Sequence, residues 1–179
     1  MQQIYELLEK DHREVQSLLQ QIEDALEDED FDHAEDLFQK AKAELTAHSK
    51  AEEEVFYEPL KVVSLEEEGE ELAWEGEEEH HVVALLLNEL SRLGADEDAW
   101  KAKLKVLSEL VDHHIEEEEG EIFEEARKCF SDEDAEEIAE NFEELKETYL
   151  SMVDEALAAD IEIFNNPVLS GGGYQEELR

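Results

Sequence analysis

Residues 48–56 read HSKAEEEVF, and residues 114–123 read HIEEEEGEIF. In each stretch a histidine is followed four places later by a glutamate: His48 with Glu52, His114 with Glu118. Four residues of α-helix turn through about 400° and rise about 6 Å, so both side chains leave one face of the helix, a turn apart. At that spacing an imidazole and a carboxylate reach one metal ion or two adjacent ions. One such pair carries little weight in a chain with 55 acidic residues, where glutamate four places after a histidine is common. Two pairs in a repeated context carry much more.

The repeat also decides which histidines point inward. After His12, apolar residues stand at Val15, Leu18, Leu19 and Ile22; after His80 the same offsets give Val83, Leu86, Leu87 and Leu90. Counting from His81 instead gives Ala84, Leu87, Asn88 and Ser91, which breaks the stripe. Phe38, Ala41 and Leu45 precede His48 as Leu104, Leu107 and Val111 precede His114, and Phe56 and Tyr57 follow as Ile122 and Phe123 do. Counting from His113 puts Glu121 in an apolar slot. Each half thus supplies one histidine from its first helix and a His-x-x-x-Glu pair from its second. An up-down-up-down four-helix bundle brings His12, His48, Glu52, His80, His114 and Glu118 to one level of the core. A lone histidine on an apolar stripe is ordinarily a hydrogen-bonded core residue. Four in matched register with two carboxylates ask for more, because a buried carboxylate without a partner costs several kcal/mol. Two divalent cations bridged by the carboxylates meet that need.

Composition sets the frame. A length of 179 residues fits one domain with an extension. Apolar residues make up 41%, enough for a core, and with only two Pro and many strong helix formers the chain reads as all-α. The net charge of -41 excludes a phosphate-binding surface, which needs clustered Lys and Arg, and an anionic membrane surface likewise. The acids are spread along the chain, which describes a solvated acidic surface and not an acidic tail. Self-repulsion on this scale is relieved by salt, so the composition predicts a halophile's salt-rich cytoplasm. Cys129 stands alone and forms no internal disulfide, in keeping with a reducing compartment. The opening MQQIYELLEKDH is an amphipathic helix and not a signal peptide, and no apolar run approaches the ~18 residues of a membrane span.

Periodicity predicts helices over about 3–27, 33–57, 71–93 and 97–128. Asp32 is the expected cap of the second, Pro59 its end or a kink, 60–70 a connection with apolar Leu60, Val62, Val63 and Leu65, and Gly94 the stop of the third. Leu72 and Trp74 join the inward stripe of the third helix; Gly76 and Gly120 weaken or bend their helices. Asp11, Arg13 and Glu14 are expected to face away from the core, and His33 to lie on the surface. Ser131 with Asp134 forms a capping box for a fifth helix. Its Ala135, Ile138, Phe142, Leu145, Tyr149, Met152 and Ala156 make a heptad seam, which packs on the bundle or pairs with a second copy in a homodimer. The expected organisation is a bundle over 1–130, an extra helix over 131–164 and a flexible acidic tail over 165–179.

The stretches EKDHREVQSLL, AHSKAEEEVFYEPL, EEEHHVVALLL and VDHHIEEEEGEIF resemble the hemerythrin family, specifically its bacterial His-His-Glu cation-binding domains, over about residues 1–128. The resemblance implies a non-haem di-iron centre with an oxo or hydroxo bridge. It implies His12, His48, His80 and His114 as terminal ligands, with Glu52 and Glu118 bridging two iron ions. Oxygen-carrying hemerythrins have a fifth histidine on the third helix, four residues after the first; this chain has Ala84 there. Glu9 and Glu77, each three places before its histidine, and Tyr57 and Tyr5 are candidate replacements. The substitution argues against simple reversible oxygen carriage. The function expected is binding or sensing of O2 or a related small ligand. The alternatives are a di-iron enzyme acting on peroxide, nitric oxide or ferrous iron, an iron store or buffer, and a helical interaction protein with the fifth helix as its arm.

Overall fold

In the computed structural model the described residues are 2–64 and 67–158, with the side chains of 67, 68 and 154–158 left aside. Gln3 opens the chain's first helix, its N–H donating to Glu6 Oε2 at 3.4 Å. Helix α1 (Ile4–Glu27) then buries Ile4, Leu7, Leu8, Val15, Leu19 and Ile22 on one stripe. A tight reversal follows, with Glu29 in the left-handed region at φ 58°. The cap of α2 (Phe31–Glu52) is Asp30, not Asp32: Asp30 Oδ1 accepts from the His33 N–H at 3.3 Å. The reversal ends two residues earlier than the sequence suggested, and Asp32 falls in the first helical turn.

After Glu52 the helix widens into a π-helical turn, π1 (Glu53–Tyr57), in which the Glu58 N–H bonds back five residues to Glu53. It continues as α3 (Glu58–Val63). Pro59 therefore does not end the helix. It lies in the first turn of α3, where a missing N–H costs little, and Ser64 in extended conformation stops the helix instead. The expected connection from residue 60 is helical as far as Val63; Leu65 lies outside the described residues. Helix α4 (Glu67–Leu90) ends before Gly94 is reached. The second half repeats the pattern: α5 (Asp98–Glu117), π2 (Glu118–Ile122) and α6 (Phe123–Cys129). Ser131 and Asp134 cap α7 (Asp132–Ala158) reciprocally, at 2.9 Å from the Ser131 N–H to Asp134 Oδ2 and 3.2 Å from the Asp134 N–H to Ser131 Oγ.

Helices α1, α2, α4 and α5 form an up-down-up-down bundle, each packed against its neighbours, and no strand occurs among the described residues. Its interior divides in two. Towards one end Val15, Ile22, Phe38, Leu87, Trp100, Leu104 and Leu107 pack together; towards the other, Ile4, Leu8, Phe56, Leu60, Phe123 and Phe142 do. Each fully buried side chain of this kind stabilises the fold by about 1.5–3 kcal/mol. The level of histidines and glutamates lies between these two apolar regions. Helix α7 lies along α1 and α2, placing Ala135, Ile138, Ala139 and Phe142 in the second region and Val153 beside Ala43. The side chain of Ala156 and the tail from Asn165 lie outside what is described.

Two expectations about α4 change. Trp74 is 48% exposed, with Lys61 Nζ 3.7 Å above its ring, because Ala73, Gly76 and His80 take the buried stripe. Gly76 is also more than a weak point. A Cβ there would meet the Tyr57 hydroxyl at 2.8 Å, so the missing side chain makes room for a buried ring. Gly120 lies in π2 with open space around it. No described helix is long and apolar enough to cross a membrane.

Candidate metal centre

Five elements deliver the six residues: His12 from α1, His48 and Glu52 from α2, His80 from α4, His114 from α5 and Glu118 from π2. All are buried, the two glutamates completely. His12 Nε2 lies 3.0 Å from Glu118 Oε2 and His114 Nε2 3.6 Å from it; His48 Nε2 and His80 Nε2 each lie 3.4 Å from Glu52 Oε2. His80 Nε2 and His114 Nε2 are 3.1 Å apart. The donors separate into two trios, His12–His48–Glu118 and Glu52–His80–His114, with the ligand atoms of each trio within 4.8 Å of one another. Each trio draws both imidazoles from one half of the repeat and its carboxylate from the other.

No N–H or O–H donates in hydrogen-bond geometry to any of the four oxygens of Glu52 and Glu118, and His12 Nε2, despite its short distance, is off-axis for one. The two carboxyls lie near enough for each to shift the ionisation of the other. Burial, then the neighbouring Glu118 charge, pushes Glu52 well above the carboxylate range. Glu118 is also opposed by burial, but the neighbouring Glu52 carboxyl and the imidazoles of His12 and His114 outweigh it and hold Glu118 below that range. The shifts of the pair therefore run in opposite directions, Glu52 towards the neutral acid and Glu118 towards the carboxylate. His80 is pushed down to about 4, first by burial, against the pull of Glu53 and with the push of His114. The imidazole is therefore neutral at ordinary pH, with a lone pair free to ligate.

Every inward imidazole is held from behind by an acid. Nδ1 of His12 meets Glu119 at 2.9 Å, that of His48 meets Asp11 at 3.3 Å, that of His80 meets Glu53 at 3.2 Å and that of His114 meets Glu79 at 2.7 Å. An ionised carboxylate only accepts, so Nδ1 carries the proton and Nε2 turns its lone pair to the centre. Burial raises Asp11 and Glu53, yet bonds to His48 and His80 respectively, with help from lysines, bring both below their usual values. Asp11 thus corrects the sequence reading: it does not face away from the core but is buried against His48. These four acids occupy matched places, one before the first histidine of each half and one after the glutamate of each half.

The candidate replacements for a fifth histidine fare unequally. Glu9 is exposed, and Glu77 is engaged by Lys61. Tyr5 packs edge-on to Phe56 and Phe123 with Arg127 over its ring, towards the far end of the bundle. Tyr57 stacks on His80, ring centroids 5.6 Å apart and planes within 20°, its hydroxyl buried and unpartnered. Burial and the nearby carboxylates push that phenol well above its usual range. Ala84 is half-buried, and His33 and His81 are exposed. A cavity beside the four imidazoles is walled by Val15, Leu45, Val83, Val111 and Ile115.

A helical bundle with two His–Glu clusters buried at its waist is a metal-binding domain in form. A family model for the hemerythrin HHE cation-binding domain matches residues 3–126, and the chain belongs to that family. It is similar to an uncharacterized hemerythrin-like protein of Schizosaccharomyces pombe, 34% identical over 146 residues, which cover 82% of this chain and 70% of that one. It is also similar to a DNA nickase of Nostoc, 27% identical over 143 residues, 80% of this chain but 39% of that protein. No solved structure matches it. Helix α7 lies beyond the part that the family model covers.

Proposed function

We propose that the chain is a non-haem di-iron protein that binds O2 or a related small ligand at a carboxylate-bridged centre in the bundle core. His12, His48, His80 and His114 are the terminal ligands, and Glu52 and Glu118 bridge the two ions. One observation carries the reading: four carboxylate oxygens with no accessible surface and no donor converge with four Nε2 atoms on one space. Such a set is costly when empty and favourable around cations. Mixed imidazole and carboxylate donors suit iron, and two trios suit two ions. Bound iron would supply redox chemistry and an open coordination position.

The protein's own residues do the rest. The four acids behind the imidazoles fix which nitrogen points inward. The two bridging carboxylates supply negative charge where the ions sit. The apolar wall of Val15, Leu45, Val83, Val111 and Ile115 favours a small uncharged ligand over a charged one. Similarity to a DNA nickase is not extended to this chain, whose net charge of -41 opposes a phosphate backbone. The seam of α7 faces its own bundle, so pairing with a second copy is not part of the proposal.

Anaerobic loading of the metal-free protein with ferrous iron, followed by absorption under nitrogen, air and peroxide, tests the reading. Two iron ions per chain and a reversible spectral change with O2 are expected. Turnover of peroxide would move the assignment to the enzymatic alternative, and failure to take up metal would end it.

A further inference from the structure

The stretch HHIEEE at 113–118 holds two His-x-x-x-Glu pairs, interleaved one place apart. His114 and Glu118 turn into the core. His113 and Glu117 occupy the next face of the same helix, rotated by about 100°. We infer that His113, Glu117 and Glu79 form a third, half-exposed site for a divalent first-row cation, an antechamber to the buried pair. The site stands on its own geometry; its role as an antechamber rests on the di-metal reading of the core.

His113 Nε2 is 3.3 Å from Glu117 Oε1 and 3.8 Å from Glu79 Oε1, and the three ligand atoms lie within 4.8 Å of one another. Glu79 comes from α4 and spans two environments. Its other oxygen, Oε2, is 2.7 Å from His114 Nδ1. A second observation comes from comparing the four acids that back the core imidazoles. Asp11 is neutralised by Lys146 at 2.7 Å, Glu53 by Lys50 at 2.7 Å and Glu119 by Arg13. Glu79 alone has no lysine or arginine partner among the described residues. Its free oxygen faces an imidazole and a further carboxylate instead. Three of the four positions carry a fixed cation, and the fourth carries the donor set for a mobile one.

Exposure falls steadily along the path, from His113 at 57% through Glu117 at 37% and Glu79 at 14% to His114 at 8%. An ion arriving from solvent meets an imidazole and a carboxylate first. It next meets the carboxylate shared with a core ligand. One nitrogen and two oxygen donors, completed by water, select iron, cobalt or zinc over calcium or magnesium.

The experiment uses the metal-free full chain, equilibrium dialysis against Co²⁺, and a buffer of about 1 M NaCl with excess Mg²⁺ to suppress diffuse binding to the acidic surface. The double variant His113→Ala, Glu117→Gln is expected to bind one Co²⁺ per chain fewer than wild type. That difference reads the outer site whatever the core holds. Core occupancy is read separately, from the loss caused by Glu52→Gln. Equal stoichiometry in wild type and double variant overturns the site. Rapid-mixing measurements of core loading are expected to be several-fold slower in the double variant, and equal rates overturn the antechamber role. Should the core reading fail, Glu52→Gln will leave Co²⁺ uptake unchanged while the double variant still loses its ion.

Discussion

A carboxyl with no accessible surface and no donor is tolerable only when neutral or beside a cation. Glu52 meets that description, and burial and the Glu118 charge push it towards the neutral acid. Glu52→Gln copies the neutral acid in shape and hydrogen bonding. The variant is expected to unfold within about 1 kcal/mol of the metal-free wild type yet to lose the two-ion stoichiometry. Denaturation and metal analysis on the same samples check this, and a variant that keeps both ions would remove Glu52 from the ligand set. His80 gives a pH test. Its folded pKa of about 4 lies below the ordinary 6.5, so the unfolded chain takes up the proton first as pH falls. The metal-free protein should therefore lose this contribution from about pH 6.5 down to about 4. His80→Gln, which cannot titrate, should show a smaller loss over that window in parallel melts. The six inward residues were legible in the sequence because each sits on an apolar stripe whose offsets recur. The acids behind them were not. In a chain with 55 Asp and Glu, an acid beside a histidine carries no signal by itself. Only its recurrence at matched places, Asp11 with Glu79 and Glu53 with Glu119, could have marked the set.

At the scale of elements, α7 reaches the centre without supplying any of the six inward residues. Lys146 donates to Asp11 at 2.7 Å and pairs with Glu44 at 2.9 Å, while Phe142 lies edge-on to His48 with ring centroids 5.7 Å apart. Burial opposes the Lys146 charge, but its two acids raise its pKa above the usual lysine value, so it is a firmly charged clamp. Lys146→Met should leave Asp11 without its cation and loosen the hold on His48. A fall of about 10-fold or more in metal affinity is expected, the size seen when such outer partners are removed. Lys146→Arg should recover most of it. Affinities unchanged in the Met variant would reduce α7 to packing alone. The existence of five helices followed from periodicity, and so did the capping of α7. The π-helical turns did not, since each simply inserts one residue. Their trace is a register slip: after Glu52 the buried stripe resumes at Phe56, Tyr57 and Leu60, and after Glu118 at Ile122, Phe123 and Ala126. An uninterrupted helix would place each one position earlier. The helix also continues through Pro59, which the sequence marked as an end or a kink.

For the molecule as a whole, 55 acidic residues against 14 basic ones leave a net charge of -41 on a chain of 179 residues. Many of the basic groups are already committed: Lys50, Lys61, Lys103, Lys128 and Lys146 each contact at least one acid. The remaining acids repel one another across the surface, and only solvent ions relieve this. The screening length shrinks from about 30 Å at 0.01 M salt to about 3 Å at 1 M, so in molar salt each exposed carboxylate is shielded from nearly all others. The melting temperature of the metal-free protein should therefore climb with NaCl by at least about 10 °C over that range. At roughly 2–4 °C per kcal/mol for a chain of this size, the rise corresponds to about 3–5 kcal/mol. Because the effect belongs to the surface, Glu52→Gln should show the same slope as wild type, which separates screening from ion binding in the core. A flat response would mean that the acids are too well spaced or too well hydrated to destabilise the fold, and the inference of a salt-rich cytoplasm would go with it.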